Sequence, residues 1–182
     1  MSKGNAECKS NDINGADFKA LFHQNEAALF RYIRYLAGSS RHAEDIYQET
    51  WLRVVGYLRK GKRIQNFKGF LFTVATNIYR DELQRLRIRR FFLGTSLDEK
   101  DVADELWVST ETSPDQEELN EILEYSLSHL SGKQRSMFCL RFIEGFKISE
   151  ISQIMKCAEG TVKATLYKAV QKLRHHLKNS EL

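Results

Sequence analysis

The sequence predicts an all-α fold: two small helical domains joined by an acidic flexible linker, the second ending in a helix-turn-helix. Three observations predict it. Apolar residues recur at helical spacing over most of the 182 residues, and almost no alternating run suggests a strand. A single proline and ten glycines leave few interruptions. Charge is also segregated: residues 1–90 carry 17 cations against 9 carboxylates (+8), residues 91–130 carry 1 against 11 (−10), and residues 131–182 carry 10 against 4 (+6), so the net +4 conceals two basic blocks around an acidic bridge. Basic blocks of this kind imply contact with a polyanion. At 42% apolar composition the chain has material for real cores.

Residues 1–15 form a polar tail. Phe18, Leu21, Phe22, Leu29, Tyr32, Ile33 and Leu36 then mark one or two helices that end at Gly38, a natural left-handed stop. Ser40 can cap the next helix, whose apolar stripe is Ala43, Ile46, Tyr47, Thr50, Trp51, Val54, Val55 and Leu58. Its opposite face carries Glu44, Asp45, Gln48, Glu49 and Arg53. Arg59, Lys60, Lys62 and Arg63 place four cations in a five-residue loop. Asn66 is the expected N-cap of a long helix burying Phe67, Phe70, Leu71, Val74, Ala75 and Ile78, whose later half turns basic with Arg80, Arg85, Arg87, Arg89 and Arg90.

From 91 to 113 the period disappears and Asp98, Glu99, Asp101, Asp104, Glu105 and Glu111 accumulate, as in a linker. Ser113-Pro114-Asp115-Gln116 predicts a capped helix start, with Leu119, Ile122, Leu123, Leu127 and Leu130 facing inward. Ser131-Gly132-Lys133-Gln134 repeats the capping logic for a helix through Met137, Phe138, Leu140 and Ile143 that stops at Gly145. Two short helices follow. Ile148, Ile151, Ile154 and Met155 line the first; Val162, Leu166, Ala169, Val170, Leu173 and Leu177 line the second, leaving Thr161, Lys163, Ala164, Thr165, Lys168, Gln171 and Lys172 outward. A short polar face at a helix N-terminal end suits a major groove, although lysine-bearing amphipathic helices are also commonly just solvated.

Cys8, Cys139 and Cys157 are too few and too widely spaced for a disulfide framework or a CxxC metal site, and a reduced intracellular setting is expected. Cys157, in the predicted turn, is either an oxidation sensor or an ordinary half-buried thiol. No apolar run approaches a signal core or a bilayer span, so a soluble cytoplasmic protein without membrane insertion is expected.

Three stretches are similar to motifs of the bacterial sigma factors of the extracytoplasmic-function group, a resemblance that covers roughly residues 16–177. Ala43-Glu44-Asp45-Ile46-Tyr47-Gln48-Glu49-Thr50-Trp51 resembles the AED-x-x-QE helix of the family's second region. Residues 70–85 resemble its W-L-x-x-I-A-x-N-x-x-x-D-x-x-R helix, with Phe70 in place of the usual tryptophan. Leu130 to Gln134, Glu144-Gly145-Phe146, Glu150-Ile151 and Gly160-Thr161-Val162-Lys163 follow the fourth-region pattern L-x-x-x-x-R…E-G-x-x-x-x-E-I…G-T-V-K.

The resemblance implies that residues 16–91 bind core RNA polymerase and the minus-ten element, that residues 92–113 are the linker, and that residues 114–182 bind the minus-thirty-five element. It implies that Asp45, Gln48, Glu49 and Arg53 meet the polymerase clamp, where a solvated helix start is the alternative. It assigns the minus-ten strand to Arg59, Lys60, Lys62, Arg63, Phe67, Asn77, Arg80, Arg85 and Arg87, the arginines on phosphate and Phe67 with Asn77 around an unstacked base; Asn77 as a purely structural residue stays open. It assigns the minus-thirty-five duplex to Thr161, Lys163, Thr165, Lys168 and Lys172.

The acidic linker either mimics nucleic acid in the polymerase exit path or is a plain soluble tether. Lys147, Lys156 and Ala158 stand where the family usually has a cap, a turn glycine and a second cap, and Ala164-Thr165 stand for a frequent Ser-Arg pair; a soft domain with weaker or altered duplex binding is expected. An anti-sigma factor is an expected partner, and no catalytic residue, metal or cofactor is expected. The rival readings are a helix-turn-helix regulator acting without core polymerase, and a nucleic-acid enzyme with Asp45 and Glu49 as metal ligands. The first lacks a ligand or receiver module and the second lacks further ligands, since the adjacent His175 and His176 point apart.

Overall fold

The computed structural model describes residues 15–38, 40–61, 64–92 and 117–180, and all of its regular elements there are helical. In chain order they are α1 (Gly15–Ala37), α2 (Ser40–Arg59), α3 (Phe67–Phe92), α4 (Glu117–Ser128), α5 (Gly132–Phe138) continuing into a π-turn (Cys139–Ile143), α6 (Ile148–Met155) and α7 (Glu159–Ser180). The expected tail and most of the expected linker, with its acidic residues, lie outside the described residues, as does the Ser113 start; Lys62 and Arg63 lie outside them too.

Helices α1 to α3 pack around a core of Leu29, Tyr32, Ile33, Leu36, Ala43, Ile46, Val54, Leu71, Phe72 and Ala75, each fully buried. The α1 stripe forms one continuous helix rather than two, and Gly38 ends it at φ 69° with its N–H on Arg34 O at 2.7 Å. Trp51 sits where α1 meets α2, its ring 4.5 Å from that of Phe22 and 6.1 Å from that of Phe18. Two buried threonines inside this bundle are bonded to the backbone. Thr50 and Thr76 donate to carbonyls one turn back, Ile46 O and Phe72 O, both at 2.6 Å. The Tyr32 hydroxyl is 2.8 Å from Thr76 Oγ1, and burial pushes its phenol far above the ordinary value. Asn66 caps α3 as expected, its side-chain oxygen accepting from Gly69 N at 2.9 Å.

The second group, α4 to α7, buries Leu127, Leu130, Met137, Leu140, Ile151, Ile154, Met155, Val162, Leu166, Ala169 and Leu173. Ser131 and Gln134 form the anticipated capping box. Two residues placed inward by periodicity are instead half open to solvent, Ile122 at 50% and Leu177 at 46%.

The two groups are not separate bodies. Phe72 and Tyr79, which lie off the expected α3 stripe, are completely buried because α5 and α6 cover that side of α3. Helix α3 is therefore apolar on two sides, one for its own bundle and one for the second group.

Candidate nucleic-acid and polymerase interfaces

On α2, Asp45 and Gln48 are exposed, as the helical phase of the buried Ala43, Ile46, Thr50 and Val54 requires. Glu49 and Arg53, placed in the same set, are brought together: Arg53 Nε donates to Glu49 Oε1 at 2.7 Å with both side chains nearly half exposed. Such an i,i+4 pair in water is worth a few tenths of a kcal/mol, about 0.3–0.5, so a partner can break it at little cost. Leu52, 68% exposed, stands beside them and was not singled out from sequence. Its signal was there, an apolar residue one position past the buried Trp51.

Where α2 ends, Arg59 and Lys60 are exposed and Gly61 takes φ 67°, turning the chain toward α3. Phe67 is half-buried, its ring 6.5 Å from that of Trp51, so one edge belongs to the bundle. Asn77 is half-buried, while Arg80, Arg85 and Arg87 are exposed. At about 100° per residue, Asn77, Arg80 and Arg87 share one side of α3, whereas Arg85 points roughly 140° away from Arg80. Arg85 is on the side of Glu82, whose carboxyl is pushed above the ordinary carboxylate value by burial, opposed by His42 and Arg85 and reinforced by Asp45. The structure thus divides the α3 arginines between two faces.

In the helix-turn-helix, Lys156 closes α6 in the left-handed region at φ 52°, its N–H on Gln153 O at 3.3 Å. That conformation is the one glycine adopts freely, and a lysine there is strained. Lys147 precedes α6 with extended backbone; its side chain has no acceptor, but its N–H is taken by Glu150 Oε2 at 2.7 Å. Half of the cap is therefore recovered. Ala158 accepts from Thr161 N and Val162 N through its backbone oxygen and brings no side-chain acceptor.

On α7, Thr161, Lys163, Lys168 and Lys172 are exposed and Thr165 is half-buried. Thr161, Thr165, Lys168 and Lys172 fall at i, i+4, i+7 and i+11, a single line along the helix. Lys163 lies on the other margin of the polar face, with Tyr167 and Arg174, both exposed and not anticipated from sequence. Lys172 leans back, its Nζ 3.5 Å from His129 O at the end of α4.

The largest residue missed by sequence reading is Arg135. It is fully buried, and its guanidinium donates to Leu127 O (2.9 Å), Ser128 O (3.1 Å), Leu130 O (3.2 Å) and, across to the first group, Leu36 O (3.0 Å). It closes the L-x-x-x-x-R pattern, a position that burial of α5 would have flagged. Among the described residues no helix is long and apolar enough to cross a membrane.

Residues 21–89 match the family model of sigma-70 region 2, and residues 120–173 that of sigma-70, region 4. The ECF RNA polymerase sigma factor SigL of Mycobacterium tuberculosis is 32% identical over 162 residues, 86% of each chain. SigX of Bacillus subtilis, another ECF sigma factor, is 27% identical over 162 residues, 88% of this chain and 83% of its own. Among solved structures, the sigma factor RpoE of Bartonella quintana, crystallised with the anti-sigma factor NepR, superposes with a TM-score of 0.69 at 25% identity, covering 89% of this chain and 97% of that one. The chain belongs to the ECF sigma factors, alternative sigma factors that direct RNA polymerase to promoters.

Proposed function

We propose that the two exposed polar surfaces divide the work of promoter recognition, with α2 and α3 engaging core polymerase and the minus-ten strand and α7 engaging the minus-thirty-five duplex. The observation that carries this reading is that Asp45, Gln48, Arg80, Lys163 and Lys168 all stand in solvent on helices whose opposite faces are buried in the core. Asp45, Gln48, Glu49 and Arg53 offer a mixed acidic and amide surface to a basic partner helix. Arg59, Lys60, Arg80 and Arg87 offer phosphate contacts around Asn77 and the outer edge of Phe67, where an unstacked base has an aromatic wall and an amide; Lys62 and Arg63 extend the same basic segment in sequence. Thr161, Thr165, Lys168 and Lys172 form one line against the duplex, with Lys163 on the opposite margin.

The domain boundaries belong to the same proposal: residues 16–91 and 114–182 as the two binding units and 92–113 as their tether. We place the protein in the cytoplasm with no catalytic chemistry of its own, the polymerase supplying it. An anti-sigma factor is the expected antagonist; the RpoE crystal with NepR supports that reading.

Reconstitution with bacterial core polymerase tests the assignment. Arg80→Ala is expected to reduce open-complex formation several-fold and to flatten its salt dependence by about one counterion, while leaving core affinity unchanged. Arg85→Ala does so less, because Arg85 lies off the Asn77 face. Asp45→Ala with Glu49→Ala is expected to weaken core binding. Core affinity untouched by that pair would overturn the clamp assignment, and tight promoter binding without any core binding would favour a free-standing regulator.

A further inference from the structure

We propose that the C-terminal end of α3 reads paired DNA just upstream of the minus-ten strand, with Ile88 and Phe91 packing on thymine methyl groups in the major groove; this rests on the sigma-factor reading above. Ile88 is 49% exposed and Phe91 79%, beside Phe92 at 81%. The rings of Phe91 and Phe92 meet each other edge to face, with centroids 6.0 Å apart. Single apolar residues in water are ordinary, but three large ones within five positions form a patch, and a patch of this kind marks a contact surface.

The patch continues the face proposed for the minus-ten strand. At about 100° per residue, Asn77, Arg80, Gln84, Arg87, Ile88 and Phe91 fall within an arc of about 100°. All are exposed except the half-buried Asn77. Phe92, Arg85 and Arg89 flank one margin of this arc, also in solvent. From Asn77 to Phe91 the helix rises about 21 Å, the length of about six base pairs of B-form DNA. The chain leaves α3 at Phe92 toward the unit assigned to the minus-thirty-five element, so this end of the helix lies on the upstream side, where the strands are paired.

Charge and chemistry select duplex DNA as the occupant. Residues 83–92 hold four arginines and no carboxylate, so the apolar side chains sit in a positive field suited to phosphates. Arginines beside the patch can hold the backbone and fix the register without reading bases. Ile88 and Phe91 have no hydrogen-bonding group, and the one base feature of the major groove that such side chains recognise is the thymine C5 methyl. An anionic lipid surface fits less well, because the chain runs on into Asp98, Glu99, Asp101, Asp104 and Glu105, which such a surface repels.

The test uses holoenzyme reconstituted from the full-length chain and promoters that it selects from randomised duplex DNA. Thymine is expected to be enriched within about six base pairs upstream of the minus-ten element. Replacing that thymine by deoxyuridine removes the methyl alone and is expected to lower open-complex formation roughly three- to fourfold, the worth of one buried methyl. In Phe91→Ala holoenzyme the same replacement should change nothing, and in Ile88→Ala it should change less than in the wild type. Both side chains are exposed, so helicity and core affinity are expected to stay at wild-type values in the two variants. A replacement without effect on the wild type at every one of these positions, or with an equal effect in Phe91→Ala, overturns the contact. A loss of core affinity in Phe91→Ala also overturns it and gives the patch to a polymerase surface. A wild type that binds no core and initiates nowhere refutes the sigma-factor reading and this contact together, whereas a flat deoxyuridine scan with Arg80→Ala still impaired refutes this contact alone.

Discussion

The two units solve the same problem, a small helical bundle with one nucleic-acid face, with different local resources. In residues 15–92, every chain reversal has a residue suited to it: Gly38 and Gly61 take positive φ, and Asn66 caps α3. Aromatic rings then thicken the core from Phe18 to Phe72. In residues 117–180 α5 is fully capped by side chains, whereas the reading motif has a lysine in the left-handed turn, a cap recovered only in part at Lys147 and none from a side chain at Ala158. The second unit compensates through tertiary bonds, with Arg135 satisfying four carbonyls at once and Glu144 and Phe146 leaning on the first unit. Local sequence support and long-range support are thus traded between the two halves.

The contrast is broken most severely at Arg135. Arg135→Ala removes a charged donor from each of four carbonyls, several of them buried, and is expected to cost about 3–5 kcal/mol, lowering the melting temperature by roughly 10 °C in thermal denaturation followed by circular dichroism. Next comes repair of the turn. Lys156→Gly should stabilise by about 1 kcal/mol, since glycine occupies φ 52° without strain, and raise the melting temperature by about 2–4 °C. Ala158→Ser should add about 1 kcal/mol or somewhat less by supplying the missing acceptor at the start of α7. If both repairs leave stability unchanged, the second unit is not limited by its turn, and the comparison fails.

The smallest effect is expected in the first unit. Burial raises the Glu82 carboxyl above its unfolded value, so the folded state binds that proton more tightly and this carboxyl favours folding at low pH, a contribution lost as pH rises through its folded value. Glu82→Gln should therefore raise the melting temperature slightly at pH 7, with the advantage shrinking as pH falls through the carboxylate range. An advantage that grows on acidification would contradict the assignment.

Much of this was legible in the residues. The Ala43 to Val54 stripe, the Asn66 cap, the Ser131 and Gln134 box and the α6 to α7 reader are local patterns, set by helical period and by capping groups within four residues of the backbone they serve. The exposure of Asp45, Gln48, Arg80, Lys163 and Lys168 follows from the same period once the apolar side of each helix is fixed. Periodicity failed at Ile122 and Leu177, which lie on the apolar stripes yet stand half open to solvent, and it could not show that Arg85 lies beside the part-buried Glu82.

The sequence by itself determined an all-helical fold, several of its caps and turns, and these outward polar faces, because they depend on interactions a few residues long. Only the tertiary structure decided that Phe72 and Tyr79 would be buried by the second unit, that Arg135 would bridge to Leu36 O, and that the helix after Ser131 would widen into a π-turn at Cys139–Ile143. In that turn Glu144 N reaches back to Cys139 O at 3.0 Å, and the Glu144 side chain meets Arg31, 113 residues away in sequence. Such contacts depend on where two independently patterned surfaces meet, and no local period encodes that meeting.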